Sequence, residues 1–156
     1  MGVDFLFLNE VLDGFIGDHL GCAFPSGVNG TTQMITYKTV QHLIQEKKIN
    51  PQQTHAYFSP SILKNSLEVG MEVIEQIKNI DKTLHIDTEP YIQYMPNQKA
   101  YLDNQGINIE LLKQCGIQHI HPSTHDTKTE TDTCFSYRND KKTGEHFTFG
   151  YIKKDA

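Results

Sequence analysis

Apolar and polar positions change period several times along the chain, and each change marks an element. Residues 3–8, VDFLFL, are nearly all apolar and predict a buried strand. Asp13-Gly14 is a turn signal, and FIGDHLG predicts a second strand ending at His19. CAFPSGVNG, with one proline and two glycines, predicts a loop. Within it Asn29-Gly30-Thr31 reads as a turn, although it also spells a glycosylation sequon. In TTQMITYKTVQHLIQEKK, residues 31–48, Met34, Tyr37, Val40 and Ile44 recur at helical spacing. Asn29 or Thr31 is the expected cap of that helix.

THAYFS, residues 54–59, predicts a short strand, and Pro60-Ser61 starts a turn. EVGMEVIEQIKN, residues 68–79, predicts a helix with Val69, Val73 and Ile77 on one face. The polar stretch 81–98 contains Pro90 and Pro96 and reads as a surface excursion with no assigned element. LDNQGINIELLKQCG predicts a helix capped by Asp103 or Asn104 and stopped by Gly116. IQHIH, TCFSYR and EHFTFGYIK predict three closing strands, the last two joined by a turn at NDKKTG. The mixture predicts an α/β (α+β) domain, with mixed sheets flanked by about three helices, occupying residues 1–156 as one unit.

Composition narrows the function. Apolar residues make up 37% and charged residues 21%, the balance of a globular chain and not of a disordered one. Fourteen Lys and Arg against nineteen Asp and Glu leave −5, which argues against a nucleic-acid partner, whose phosphates need concentrated positive charge. No apolar run approaches the roughly 20 residues of a membrane span. Cys22, Cys115 and Cys134 form neither a CxxC pair nor an even disulfide set. With no secretory signal pattern in MGVDFLFLNEVLDG, free thiols in a reducing cytoplasm are expected.

Three constellations carry candidate chemistry. His119 and His121 lie two apart on one strand face, with His125 beyond the Pro122 turn, and zinc accepts three such nitrogens. No Cys, Asp or Glu sits at a matching spacing, so a polar strand face turned to solvent is the expected reading. The pairs His125-Asp126-Thr127 and His146-Phe147-Thr148 resemble phosphodiester-cutting motifs but lie too close together for two half-domains. Cys22, three residues past His19 and at the start of the Pro/Gly loop, is a candidate activated thiol. Cys115 and Cys134 read as core.

Four segments together resemble the laccase-domain proteins, a family described both as polyphenol oxidases and as purine nucleoside phosphorylases. HLG followed by NGTTQMITYKTVQHL resembles its His-Ala-Gly-Trp-Arg-Gly-Thr signature. SPSILKNSLEVGMEVIEQI resembles its Gly-Pro-Ser-Ile … Tyr-Glu-Val-Gly segment. LDNQGINIELLKQCGI matches its next helix through Leu102, Asp103, Asn108 and Gly116. DTKTETDTCFSYRNDKKTGE matches its ending through Thr127, Phe135, Ser136, Tyr137, Arg138, Asp140, Thr143 and Gly144.

The resemblance implies a zinc site made by two histidines and a cysteine. The second family histidine falls on His19, the cysteine position is Phe5 after Asp4, and the first histidine falls ahead of this sequence. One donor of three is therefore expected, and no retained cofactor. The family's Trp-Arg falls on Cys22 and Asn29 around a six-residue insertion, and its Thr-Gly-Arg arginine is Glu145. What carries over is His19 and Arg138 as catalytic groups, with Asp4, Cys22, Asn29, Ser61, Thr127 and Arg138 as ligand contacts. Two functions follow from the resemblance. One is a divergent enzyme acting on purine nucleosides, with His19 as the remaining ligand or acid/base. The other is a catalytically inactive scaffold that binds a nucleotide-like ligand or a protein partner. A VDFLFL strand without its family neighbours leaves an apolar edge, across which a second copy or another protein is expected to pair.

Overall fold

The computed structural model describes residues 27–47, 49–134 and 136 with their side chains, and the backbone of three strands at 5–8, 12–16 and 19–24. Those strands are β1 (Phe5–Leu8), β2 (Leu12–Ile16) and β3 (His19–Phe24). Then follow α1 (Val28–Thr32), α2 (Ile35–Glu46), β4 (His55–Phe58), β5 (Glu68–Gly70) and α3 (Met71–Leu84). β6 (Ile92–Met95), β7 (Lys99–Leu102), α4 (Asn104–Gln114) and β8 (His119–His121) complete the described elements.

Two sheets result. One has five strands in the order β2-β3-β1-β4-β8, parallel except for the β2–β3 pair. The other is a three-stranded antiparallel sheet, β5-β7-β6. The mixed α/β class expected from the sequence is the class observed.

Two apolar clusters hold these layers together. Val40 and Leu43 of α2 meet Ala56 and Phe58 of β4 and Leu112, Cys115 and Ile117 near the end of α4. Ile74, Ile77 and Ile80 of α3 pack on Val69, Ala100 and Leu102 of the second sheet, and on Ile107 and Leu111 of α4. The middle helix α4 therefore buries residues on two sides, so it joins the clusters and shows no single apolar stripe. Its ends follow local rules. The Asp103 side chain accepts from the Gly106 N–H at 2.9 Å, and Gly116 takes φ +85° just past the last turn.

Several expectations are corrected. Asp13 and Gly14 lie inside β2, and the reversal falls between Ile16 and His19, which pair with each other. Cys22 lies within β3, not in a loop. Asn29-Gly30-Thr31 is part of α1, whose cap is Gly27. The single helix 31–48 is two helices, because Met34 takes a left-handed conformation (φ 56°) between them. Glu68–Gly70 is a strand, so Val69 belongs to β5 and only residues from Met71 onward are helical.

The stretch 81–98 holds the end of α3, a short 3-10 turn at Glu89–Tyr91 and β6. Its tip carries Asn97 and Gln98 at φ 66° and 57°, the mirrored turn that joins β6 to β7. Of TCFSYR, Thr133, Cys134 and Ser136 are described and none is in a strand, and Cys134 is half-exposed. EHFTFGYIK and the turn before it lie outside the described residues. The expected apolar edge at the first strand does not exist: β1 is hydrogen-bonded on both sides, to β3 and to β4. Among the described residues, no helix is long and apolar enough to cross a membrane.

Candidate functional site

Asn29 stands on α1 because Gly27, itself extended, is the cap of that helix and Thr31 folds back on it. The Thr31 hydroxyl donates to the Gly27 carbonyl at 3.0 Å. Thr31 is in turn clamped by α4. The Asn108 amide donates to Thr31 Oγ1 at 2.9 Å and to the Asn104 carbonyl at 2.8 Å. The Thr36 hydroxyl of α2 donates to Asn108 Oδ1 at 2.6 Å. All three side chains in this bridge are buried. One amide thus fixes where α1 and α2 sit on α4, and with them the position of Asn29.

Facing Asn29 across a cleft of about 860 Å³ are Ser61 and Ile62, after β4, and Gly70, Glu72 and Val73 at the β5–α3 junction. Ser61 is held from behind. It pairs with Asp126 in an isolated parallel bridge, and the Thr127 N–H donates to its carbonyl at 3.0 Å. Gly70 has a backbone without Cβ where the Glu72 carboxylate lies, so the acid packs across the strand end. Glu68, also on the cleft wall, is ion-paired to Lys99 of β7. Among the described residues, no lysine or arginine lines the cleft, and its charged groups are carboxylates.

Of the residues expected from the sequence, Asn29 and Ser61 therefore meet at one cleft. Thr127 is buried directly behind Ser61 and supports it without reaching the opening. His19 and Cys22 are placed only as backbone positions of β3, and Asp4 and Arg138 lie outside the described residues. The sequence reading missed Glu68, Glu72 and Gly70. The available signal was Gly70 itself, a glycine at a strand–helix junction.

The histidines fall elsewhere. His119 and His121 do share one face of β8, exposed, while Ile120 turns inward against the first apolar cluster. His55 and Tyr57 of β4 lie beside them, in register with His119 and His121 respectively. His125 does not join this group, since its Nδ1 pairs with the Glu130 carboxylate at 2.9 Å. Burial of its ring, followed by repulsion from His119 and His121, lowers the His55 pKa. Cys115 is no nucleophile: burial raises its thiol to about 11, although a hydrogen bond with Gln41 opposes the shift.

The metal set implied by the resemblance does not fit this sequence. Phe5, at the cysteine position in β1, offers a hydrocarbon ring and no lone pair, so the sulfur donor of the set is replaced by a group that cannot ligate. Among the described residues, no group of three or more His, Cys, Asp or Glu side chains stands ready to hold an ion.

Comparison with known proteins gives the family. The family model described as multi-copper polyphenol oxidoreductase laccase matches residues 18–153. The purine nucleoside phosphorylase of Haemophilus influenzae is 28% identical over 123 residues, 78% of this chain and 48% of that protein. Purine nucleoside phosphorylase YfiH of Escherichia coli is 32% identical over 103 residues, 66% of this chain and 40% of that protein. The chain thus spans a little under half the length of these curated relatives. The crystal structure of Bacillus licheniformis hypothetical protein YfiH superposes with a TM-score of 0.65 at 26% identity, covering 78% of this chain and 44% of that one. YlmD from Geobacillus stearothermophilus, 23% identical with a TM-score of 0.67, covers 80% of this chain and 44% of its own, and shares the fold. With that match over most of its length, the chain belongs to the multi-copper polyphenol oxidoreductase laccase family.

Proposed function

We propose that this chain binds a purine nucleoside lacking phosphate in the cleft between Asn29 and Ser61. The observation that carries this reading is that these two residues, drawn from separate family segments, line one cleft of about 860 Å³. That volume is in the range of small-molecule sites. Curated relatives are named purine nucleoside phosphorylases, which supplies the ligand class. The Glu72 carboxylate on the wall opposes a phosphate by like-charge repulsion, while carboxylate and amide groups suit the hydroxyls and edge amines of a nucleoside. With Phe5 in place of a sulfur donor, the reading is of a binder that does not turn its ligand over by the family's metal route.

Thermal-shift titration with adenosine, inosine and AMP tests it. A nucleoside at about 100 times its Kd adds roughly 2.7 kcal/mol of stability, and Asn29→Leu is expected to abolish the shift. AMP binding as tightly as adenosine, or no shift from either nucleoside, overturns the proposal. Incubation with inosine and phosphate, followed by chromatography, is expected to return intact nucleoside. Free base whose release disappears in His19→Ala would establish the divergent-enzyme reading instead.

A further inference from the structure

The exposed faces of β4 and β8 bring together four rings that the cleft does not use. His55 and His119 stack with centroids 4.4 Å apart and planes 6° from parallel. Tyr57 stacks on His121 at 4.3 Å and 10°. Between the two stacks, His55 Nδ1 lies 2.9 Å from His121 Nε2. The opposite faces of these strands bury Ala56 and Phe58 and turn Ile120 inward, so the strands are pinned from below while the rings stand on the solvent side. The backbone spacing of the imidazoles is thus set by the sheet register, not by the rings themselves.

We infer that His55 Nδ1 and His121 Nε2 form a two-imidazole chelate for a divalent transition ion of tetragonal preference, Cu²⁺ or Ni²⁺. An ion bound to two nitrogens at about 2.05 Å needs them about 2.9 Å apart at a 90° angle and about 3.3 Å apart at a tetrahedral one. The observed 2.9 Å, which is also the length of an N–H···N hydrogen bond, matches the former. Two nitrogens at that distance are bridged by one N–H. When an ion takes its place, that hydrogen moves to the other nitrogen of its own ring, a tautomer change that leaves both donor lone pairs on the metal. Each ring must turn about its Cβ–Cγ bond, and the ring stacked on it must turn with it. Water completes the coordination.

This pair uses residues other than the family's metal set, although it lies beside it, since His55 is in register with Phe5. His55 and His121 stand on β4 and β8, whereas the family positions in this chain are His19 of β3 and Phe5 of β1. The inference does not depend on nucleoside binding.

Calorimetric titration of the 156-residue chain with Ni²⁺, which does not oxidise thiols, reads the site directly. One Ni²⁺ per chain is expected, with affinity at least tenfold weaker in His55→Gln and in His121→Gln. The exposed histidines His42 and His85 serve as controls, and His42→Gln and His85→Gln are expected to stay within twofold of the parent. The electron-spin spectrum of bound Cu²⁺ is expected to show coupling to two imidazole nitrogens, reduced to one in either variant. Unchanged affinity in both variants, or no saturable binding, overturns the inference. Circular dichroism establishes that each variant is folded, and because the two residues sit on different strands, either one alone carries the test.

Discussion

Two polar clusters of similar size sit on opposite sides of the same layer. Thr31, Thr36 and Asn108 are sealed between α1, α2 and α4, and are at most 1% exposed. His55, His119, His121 and Tyr57 stand on the solvent side of β4 and β8. In the first cluster the amide of Asn108 donates to Thr31 and to the Asn104 carbonyl and its oxygen accepts from Thr36, so a buried group meets protein partners where water is absent. In the second, rings stack and share a hydrogen beside water, which competes for every polar contact. The buried cluster is therefore structural, because removing Asn108 takes from two buried hydroxyls a partner that water does not replace. The open cluster is replaceable in stability, and for that reason free to rearrange around a ligand.

The largest expected effect comes from Asn108→Ala, which leaves two threonine hydroxyls without the amide that joins them. A cost of about 3 kcal/mol is expected, or a fall of roughly 6–12 °C in Tm. Thermal denaturation checks it, and a loss under about 1 kcal/mol would erase the distinction between the clusters. Asp103→Ala removes the cap that accepts from Gly106 N–H, at a cost of about 1 kcal/mol measured by urea denaturation.

Tyr91 lies between the two extremes, half-buried, donating to the Glu110 carboxylate at 2.7 Å. Burial, the hydrogen bond to Glu110 and the nearby carboxylates push its pKa from 10.0 up to about 12. The folded chain therefore keeps a proton that the unfolded chain has released. Its stabilising contribution is complete below pH 10 and is lost as the pH rises toward 12. A Tm profile over that window should fall more steeply in the parent than in Tyr91→Phe. The smallest effect belongs to His121→Gln, expected to change stability by less than about 0.5 kcal/mol while weakening Ni²⁺ binding. A loss as large as that of Asn108→Ala would make the ring stack structural and end the contrast.

Where a signal was local, the sequence was legible. Asp103 and Gly116 bound α4 as expected, because a cap and a left-handed stop act within four residues. THAYFS and IQHIH are strands at their expected places. The misreadings come where neighbours overrule propensity. Glu68–Gly70 carries a helix-like pattern with the residues after it, yet pairs with β7 as a strand. Met34 lies on the apolar stripe of a helix and still breaks it, a backbone choice that no spacing reveals. The candidate site divides in the same way. Asn29 and Ser61 were visible as motif positions, but Glu72 and Gly70 enter the cleft only because β5 and α3 meet beside α1.

By itself the order of residues determined the chemistry available. It put His19 at one of the family's metal positions and Phe5 where the sulfur would stand, set carboxylates in excess of cations, and marked helix ends by Asp103 and Gly116. Tertiary structure alone decided which groups meet. It put β1 in the middle of a sheet, gathered Asn29 and Ser61 around one cleft, and brought His55 to His121 across 66 residues of chain. The physical reason is range. Caps, turns and periodicity are energies of residues a few positions apart, whereas sheet order and side-chain encounter are set by burying two apolar clusters at once, a condition on the whole chain.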